Sequence, residues 1–183
     1  MIGANAITSF SDGSAEADVA TEVYEEIVQE ELSFYPWSFA KDQSGLSLLV
    51  AAPVDPTWTY GYQLPNGVMK ILRMTVNGYN IEYERFGNKV FCGEAADVVA
   101  TYVFRALESK WPPYFSALVS HKLAALFATA IAERPGLAQS LYGELGVVRQ
   151  LARTSDASGQ TTRRIVQSRF KKARGYSNSD VHA

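Results

Sequence analysis

The spacing of the apolar residues changes twice along the chain, and this change limits the possible folds more than any other feature. Residues 14–33 place apolar side chains three and four positions apart, as one buried helix face requires. Residues 46–104 contain short segments bounded by glycine and proline, which favours strands and turns. Helical spacing returns over 114–133 and 135–153. The pattern predicts an α+β protein that is mainly α, a helical bundle with an inserted small antiparallel β-sheet.

The first helix is predicted to bury one stripe and to be acidic elsewhere. The stripe consists of apolar residues at helical spacing, namely Ala20, Val23, Tyr24, Ile27, Val28 and Leu32. Glutamates occupy most of the remaining positions, and we expect Glu31 at the edge of the stripe, one turn after Ile27. Pro36 ends the helix, because proline has no amide hydrogen to donate.

The clearest local signal is Asn77-Gly78, which is typical of a type I′ turn in a two-residue β-hairpin. Such a turn sets the residues on either side opposite one another. One face is predicted to pair Val76 with Tyr79, Met74 with Ile81 and Leu72 with Tyr83. The other face is predicted to pair Thr75 with Asn80 and Arg73 with Glu82.

Further short strands are expected around 46–51, 60–64, 89–92 and 97–104. The last of these is apolar on both faces, so we expect it to be central or covered. With the hairpin, these segments predict an antiparallel sheet of roughly four strands.

Charge is divided unevenly between the body of the chain and its end. Residues 1–148 contain 9 Lys and Arg against 17 Asp and Glu, a net charge of −8. Residues 149–183 contain 8 against 2, a net charge of +6. We therefore predict a domain over 1–153 and a linker with an extended basic C-terminal tail over 154–183. The small polar residues 155–162 are typical of the linker.

The basic tail also contains a small apolar stripe, Ile165, Val166 and Phe170. The stripe lies among basic residues, which are Arg163, Arg164, Arg169, Lys171, Lys172 and Arg174. The segment is too short to be a stable helix by itself in water. Three interpretations stay open: a frayed solubilising end, a nucleic-acid contact with Phe170 or Tyr176 stacked on bases, and a contact with a groove on another protein.

The residues that most enzymes and metal sites need are scarce. The chain has one cysteine, Cys92, and two histidines, His121 and His182, too few for a cysteine cluster or a structural zinc site. We expect His121 to be a core or interface histidine. Phosphate-loop, nucleophile-elbow and zinc-protease motifs do not occur. The sequence therefore predicts no enzymatic activity, no cofactor and no metal.

A membrane location is also not expected. No apolar run approaches the ~20 residues that a membrane-spanning helix needs. The first ten residues lack the basic and apolar stretches of a signal peptide. A single cysteine fits a reducing compartment.

Several short motifs follow one another between residues 6 and 153. They are Ile7-Thr8-Ser9, Asp12-Gly13-Ser14, Glu16-Ala17, Trp37-Ser38-Phe39-Ala40, Tyr62-Gln63-Leu64-Pro65, Pro113, Phe115, Ala117-Leu118 and Leu123-Ala124-Ala125. Each is weak alone, but their order and the total length resemble the tail tubular protein A family of tailed phages, the head–tail adaptors below the portal. That family usually has another helix before the Ile-x-Ser stretch, so we expect a bundle one helix short or completed by a neighbouring subunit.

The resemblance implies a structural virion protein without enzymatic activity, a helical bundle that carries a β insertion. It implies a dodecameric ring between the portal protein and the tail nozzle or tail tube protein. DNA would pass through the channel of the ring without specific binding. The expected location is the neck or tail of the virion, with host cytoplasm during assembly.

Within this resemblance, three groups of residues are predicted to make contacts. The portal-binding group is Arg163, Arg164, Ile165, Val166, Arg169, Phe170, Lys171, Lys172 and Arg174. The turn Asn77-Gly78 is expected to face the next tail component, and Glu25, Glu26 and Glu30 to face the channel, where negative charge repels DNA. The alternatives are another neck or tail completion protein and a nucleic-acid-binding module that uses the basic tail.

Overall fold

Three helices and eight strands lie in the part of the chain that the structure, a computed structural model, describes: residues 13–51, 53–95, 97–130 and 134–159. The helices are α1 (Ala15–Phe34), α2 (Pro113–Ala130) and α3 (Pro135–Ser158). The strands are β1 (Lys41–Gly45), β2 (Ser47–Leu48), β3 (Tyr60–Gln63), β4 (Val68–Val76), β5 (Tyr79–Asn80), β6 (Tyr83–Phe86), β7 (Lys89–Cys92) and β8 (Val99–Phe104). All the described strands therefore lie between α1 and α2 in the sequence.

The strands form two antiparallel four-stranded sheets. The first sheet has the order β1-β8-β4-β5, and the second has the order β2-β3-β7-β6. The β8 strand is central in the first sheet, as its apolar faces predicted. Its neighbours β1 and β4 pair with it in antiparallel register, Asp42 opposite Tyr102 and Met74 opposite Ala100.

Two apolar cores hold the sheets and the helices together. The sandwich core lies between the sheets and contains Tyr62, Leu64, Val68, Met74, Val90, Cys92, Val98, Ala100 and Tyr102. The helical core contains Ile27, Val28, Leu32, Trp37, Ala40, Val103, Ala106, Phe115, Leu118, Val119, Leu145 and Ala152. Because Val103 packs in one core and its neighbour Tyr102 in the other, β8 joins the helices to the sandwich.

This architecture overturns the predicted fold class. The β region is a two-sheet sandwich with a core of its own, not one small sheet inserted into a mainly helical bundle. The segment predicted as a strand over 46–51 contains only the two residues of β2, and the sequence pattern did not predict β1, which precedes it and belongs to the other sheet. The β1 strand is polar (Lys-Asp-Gln-Ser-Gly) and lies at a sheet edge, where backbone hydrogen bonds rather than apolar alternation define it.

The predicted hairpin is confirmed at its tip and wrong farther from it. Val76 lies opposite Tyr79 and Thr75 opposite Asn80, and the Ile81 amide donates to the Met74 carbonyl at 3.1 Å. The next pair does not form, because Tyr83 pairs with Cys92 in the second sheet. Irregular register in β4 also places Leu72 against the helical core. Sequence alternation does not reveal such a bulge.

The predicted pairing of Arg73 with Glu82 across the hairpin is also wrong. The Arg73 Nε donates instead to the Thr101 hydroxyl at 3.2 Å, and Glu82 is exposed. The chain leaves the first sheet at Ile81 and Glu82, so the carboxylate never comes opposite the guanidinium.

The helices begin and end close to their predicted positions, with one correction. Ser14 caps α1, since its hydroxyl accepts from the Ala17 amide at 3.2 Å. The α3 helix continues to Ser158, so residues 155–158 are helical and the predicted linker is wrong there. The reason is Asp156, which is buried and anchors this last turn to the rest of the protein.

Candidate functional site

The predicted portal-binding residues lie outside the described residues. They are Arg163, Arg164, Ile165, Val166, Arg169, Phe170, Lys171, Lys172 and Arg174. Their role remains a prediction. The structure describes the chain up to Gly159, directly after α3.

The hairpin tip, by contrast, is clearly placed. Asn77 and Gly78 have φ angles of 49° and 82°, and positive values at both central residues define a type I′ turn. The neighbouring aromatic side chain of Tyr79 is 79% exposed. The turn thus presents an aromatic residue to solvent, a type of side chain that is enriched in protein–protein contacts.

Two of the three predicted channel-facing glutamates form ion pairs within the subunit. The Arg105 Nε lies 3.0 Å from Glu25, and this hydrogen bond holds the pKa of Glu25 below its usual value. The Lys122 ammonium lies 2.6 Å from Glu30. Glu26 has no ion pair among the described residues. Of the three glutamates predicted to face the channel, only Glu26 is therefore uncompensated among the described residues.

Glu26 belongs to a line of carboxylates, which we call the acidic row. It consists of Asp18, Glu22 and Glu26, one helical turn apart and all exposed. None of the three carboxylates has an ion pair or side-chain hydrogen bond within the part of the chain that the structure describes. The acidic row is consequently an uncompensated negative surface on α1.

A buried charge cluster, which the sequence interpretation did not find, fixes the three helices to one another. Glu31, expected at the edge of the stripe, is fully buried. Its carboxylate accepts from Lys122 Nζ at 2.9 Å and from Arg149 Nη2 at 2.5 Å. Burial raises the pKa of Glu31, but these hydrogen bonds outweigh it, and the pKa lies below its usual value. An acidic residue within an apolar helical stripe is the signal that could have revealed this cluster.

A second anchor joins α3 to the segment after α1. The Asp156 carboxylate accepts from the Ser38 amide at 3.0 Å, the Ser38 hydroxyl at 2.6 Å and the Tyr114 hydroxyl at 2.7 Å. Burial, followed by the Asp156 hydrogen bond, raises the pKa of Tyr114 to about 12. The end of α3 is therefore held beside the end of α1.

A groove of about 550 Å³ lies between the end of α1 and the outer side of α3. This α1–α3 groove is lined by Phe34, Tyr35, Gly146, Arg149, Arg153 and Thr154. The Arg149 guanidinium lies 4.5 Å from the centre of the Phe34 ring, and the Arg153 guanidinium lies 5.0 Å from that of Tyr35. Arg149 is neutralised by Glu31, whereas Arg153 has no ion pair among the described residues. The groove thus contains one uncompensated cation.

A second, apolar cleft of about 520 Å³ lies beside the segment between β2 and β3. Phe86 and Phe91 line it, with ring centroids 5.0 Å apart. Val50 and Val54 at its rim are fully exposed. A Cβ on Gly61 would lie 3.0 Å from the Phe91 ring, so a side chain there requires the ring to shift by a few tenths of an ångström.

The histidine prediction is confirmed. His121 is half-buried on α2, and its Nε2 lies 2.9 Å from the Leu141 carbonyl oxygen on α3. This contact joins the two helices in the way expected of a core or interface histidine.

The described surface thus has uncompensated charges, exposed aromatic and apolar side chains, one groove and one cleft. No protein-family model matches the chain, and no curated protein matches it. Among the described helices, none combines the length and apolar character that crossing a membrane requires.

Proposed function

We propose that this chain is a structural virion protein, a head–tail connector adaptor. It forms a ring that docks onto the portal, links the portal to the tail and leaves a channel for DNA. The observation that carries the proposal is the order of the short motifs between residues 6 and 153, followed by the basic tail. Because the β region is a two-sheet sandwich, the proposed adaptor is not a helical bundle with one small sheet.

The positions of the motif residues support the proposal. Trp37 and Phe115, from motifs that lie far apart in the sequence, are both fully buried with ring centroids 5.2 Å apart. Tyr62 and Leu64, from a third motif, are buried in the sandwich core. Residues from three of the motifs therefore pack in the two cores, as residues on which a shared structural role depends are expected to do.

The fixed end of α3 also supports the proposal. Because Asp156 ties the last turn of α3 to Ser38, the tail begins at the same place on every copy. In a ring, many identical tails act together, since docking of one raises the effective concentration of the others. Modest contacts by the apolar and basic residues of each tail are then enough for firm attachment to the portal.

Deletion of residues 163–183 tests this role of the tail. We expect the shortened chain to fold normally and to lose attachment to portal rings of the same virus, measured as a change in mass of the mixture. The matched control deletes only residues 176–183, keeps the basic segment and should attach as the full chain does. Undiminished attachment after the longer deletion would contradict the proposal.

The same two deletions distinguish the nucleic-acid alternative. A DNA-binding module would show affinity for DNA that falls steeply with salt and disappears with residues 163–183. That result without any attachment to portal rings would replace the adaptor proposal.

Replacement of the hairpin turn tests the second contact. A polar linker in place of residues 77–79 removes the exposed Tyr79 ring and should block attachment of the tail nozzle while portal binding persists. Unchanged nozzle attachment would show that the hairpin does not face the tail.

A further inference from the structure

We infer that copies of this chain associate head to tail, with the acidic row of one copy in the α1–α3 groove of the next. The inference rests on the ring assembly in the proposed function, and it names the surfaces that meet. It also places Glu26 at a contact between copies rather than in the channel.

The acidic row is unfavourable within an isolated subunit. Like charges one turn apart on a helix destabilise it by a few tenths of a kcal/mol per pair. Two further glutamates of α1 that are exposed, Glu25 and Glu30, each have a cation from α2 or the segment before it. Asp18, Glu22 and Glu26 have none among the described residues, so an external cation relieves their repulsion.

The α1–α3 groove offers the complementary charge. The Arg153 guanidinium lies on the Tyr35 ring in a concave, accessible surface, with no carboxylate paired to it in the described ranges. The ring orients the guanidinium and leaves its N–H donors available for a carboxylate. Thr154 and Gln150 add uncharged hydrogen-bonding groups to the same wall of α3.

The outer surface of α3 allows another helix to approach closely. Gly143 and Gly146 lie within this helix, where each destabilises it by about 1 kcal/mol relative to alanine. Among the described residues, a Cβ at either position would meet nothing within 4 Å, so packing against those residues does not require glycine. Close approach of a helix from a second copy explains why both positions are glycine.

The two surfaces cannot meet within one copy. Tyr35 directly follows α1, and along the helix axis Glu26 lies roughly 13 Å from it and Asp18 roughly 25 Å. A rigid helix holds its two ends apart, so the row reaches only the groove of another copy. Since the contact joins two different surfaces, it is heterologous and builds a closed ring or an open chain.

Charge reversal on each surface tests the contact. One variant carries Glu22→Lys and Glu26→Lys, and the other carries Arg153→Glu. Each alone should weaken self-association of the full chain by about tenfold or more, measured by sedimentation velocity at low salt. The matched control for the double variant carries Glu82→Lys and Glu94→Lys, two charge reversals at exposed positions outside α1, and should associate as the unchanged chain does.

Mixing the two charge-reversed variants gives the decisive result. In the mixture every contact pairs opposite charges again, so association should return to the level of the unchanged chain. A misfolded variant cannot be rescued in this way, and circular dichroism of each variant verifies its helices. An unchanged chain that stays monomeric at high concentration, or folded variants that fail to associate when mixed, would overturn the inference.

Failure of this inference is distinguishable from failure of the proposed function. Attachment of the unchanged chain to portal rings reports on the adaptor role by itself. If the chain attaches but charge reversal leaves self-association unaffected, the adaptor role stands and this contact is wrong. If charge reversal behaves as expected but no attachment occurs, the contact stands without the adaptor role.

Discussion

Glu31 on α1 and Arg149 on α3 form an ion pair with 2.5 Å between Oε1 and Nη2, at a point where the glutamate is fully buried. Lys122 on α2 completes the cluster at 2.9 Å from the same oxygen. One carboxylate therefore joins all three helices. Removing one partner of a buried pair leaves uncompensated charge, which destabilises more strongly than the pair itself stabilises.

The substitution Glu31→Ala should lower the free energy of unfolding by about 3 kcal/mol, because Arg149 loses its partner, Lys122 keeps only the exposed Glu30, and a cavity remains. Urea unfolding followed by circular dichroism measures the change. Glu82→Ala at an exposed position should stay within about 0.5 kcal/mol of the unchanged chain. Equal effects of the two substitutions would show that the cluster does not hold the helices.

Stability should fall in acid because of the same carboxylate. Folding lowers the pKa of Glu31 below its ordinary value of 4.5. A carboxylate whose pKa is lowered by folding stabilises the folded state at pH values above its ordinary pKa. This stabilisation is lost as the pH falls through the pKa of the folded state. Unfolding free energies measured from pH 7 to pH 3 should therefore decline below about pH 4.5. Glu31→Gln should flatten the decline, and an unchanged slope would contradict the assignment.

The Asp156 anchor should stabilise the end of α3. Asp156→Ala leaves the Ser38 amide without its partner and should cost about 2 kcal/mol, whereas Tyr114→Phe removes one hydrogen bond and should cost about 1 kcal/mol. The double variant should lose less than the sum, because both changes remove the same bond. Hydrogen exchange should speed up in the last turns of α3 in Asp156→Ala. Additive losses with normal exchange would show that the anchor is absent.

The hairpin turn requires glycine at position 78. With φ at 82°, Gly78→Ala should destabilise the chain by about 1 kcal/mol, because a side chain is strained in this backbone region. Nothing lies within 4 Å of the added Cβ, so backbone strain is the whole cause. Asn77→Gly, which also accepts a positive φ, serves as the control and should change the unfolding midpoint little. A Gly78→Ala midpoint equal to that of the control would contradict the turn type.

Local signals in the sequence correctly indicated the elements that depend on neighbouring residues. The stripe of α1 from Ala20 to Leu32 and the turn at Asn77-Gly78 are confirmed at the predicted positions. Helical spacing and turn chemistry act over a few residues, so the sequence shows them directly. The sequence also predicted that most glutamates of α1 lie outside the apolar stripe, because residues three and four positions apart share one face of a helix.

The division of the strands into two sheets was not visible, nor were the partners of the buried charges. Tyr83 pairs with Cys92 rather than with Leu72, and Glu31 pairs with Arg149, which lies 118 residues away in the sequence. The α1–α3 groove likewise depends on how two distant helices pack.

The sequence by itself thus determined the position of the hairpin turn, the apolar face of α1 and the distribution of charge along the chain. Tertiary structure alone decided which strands share a sheet, which carboxylates are neutralised and which cation remains uncompensated. The physical reason is that backbone pairing and ion pairing act between groups brought together by folding, whose separation along the chain carries no local signal.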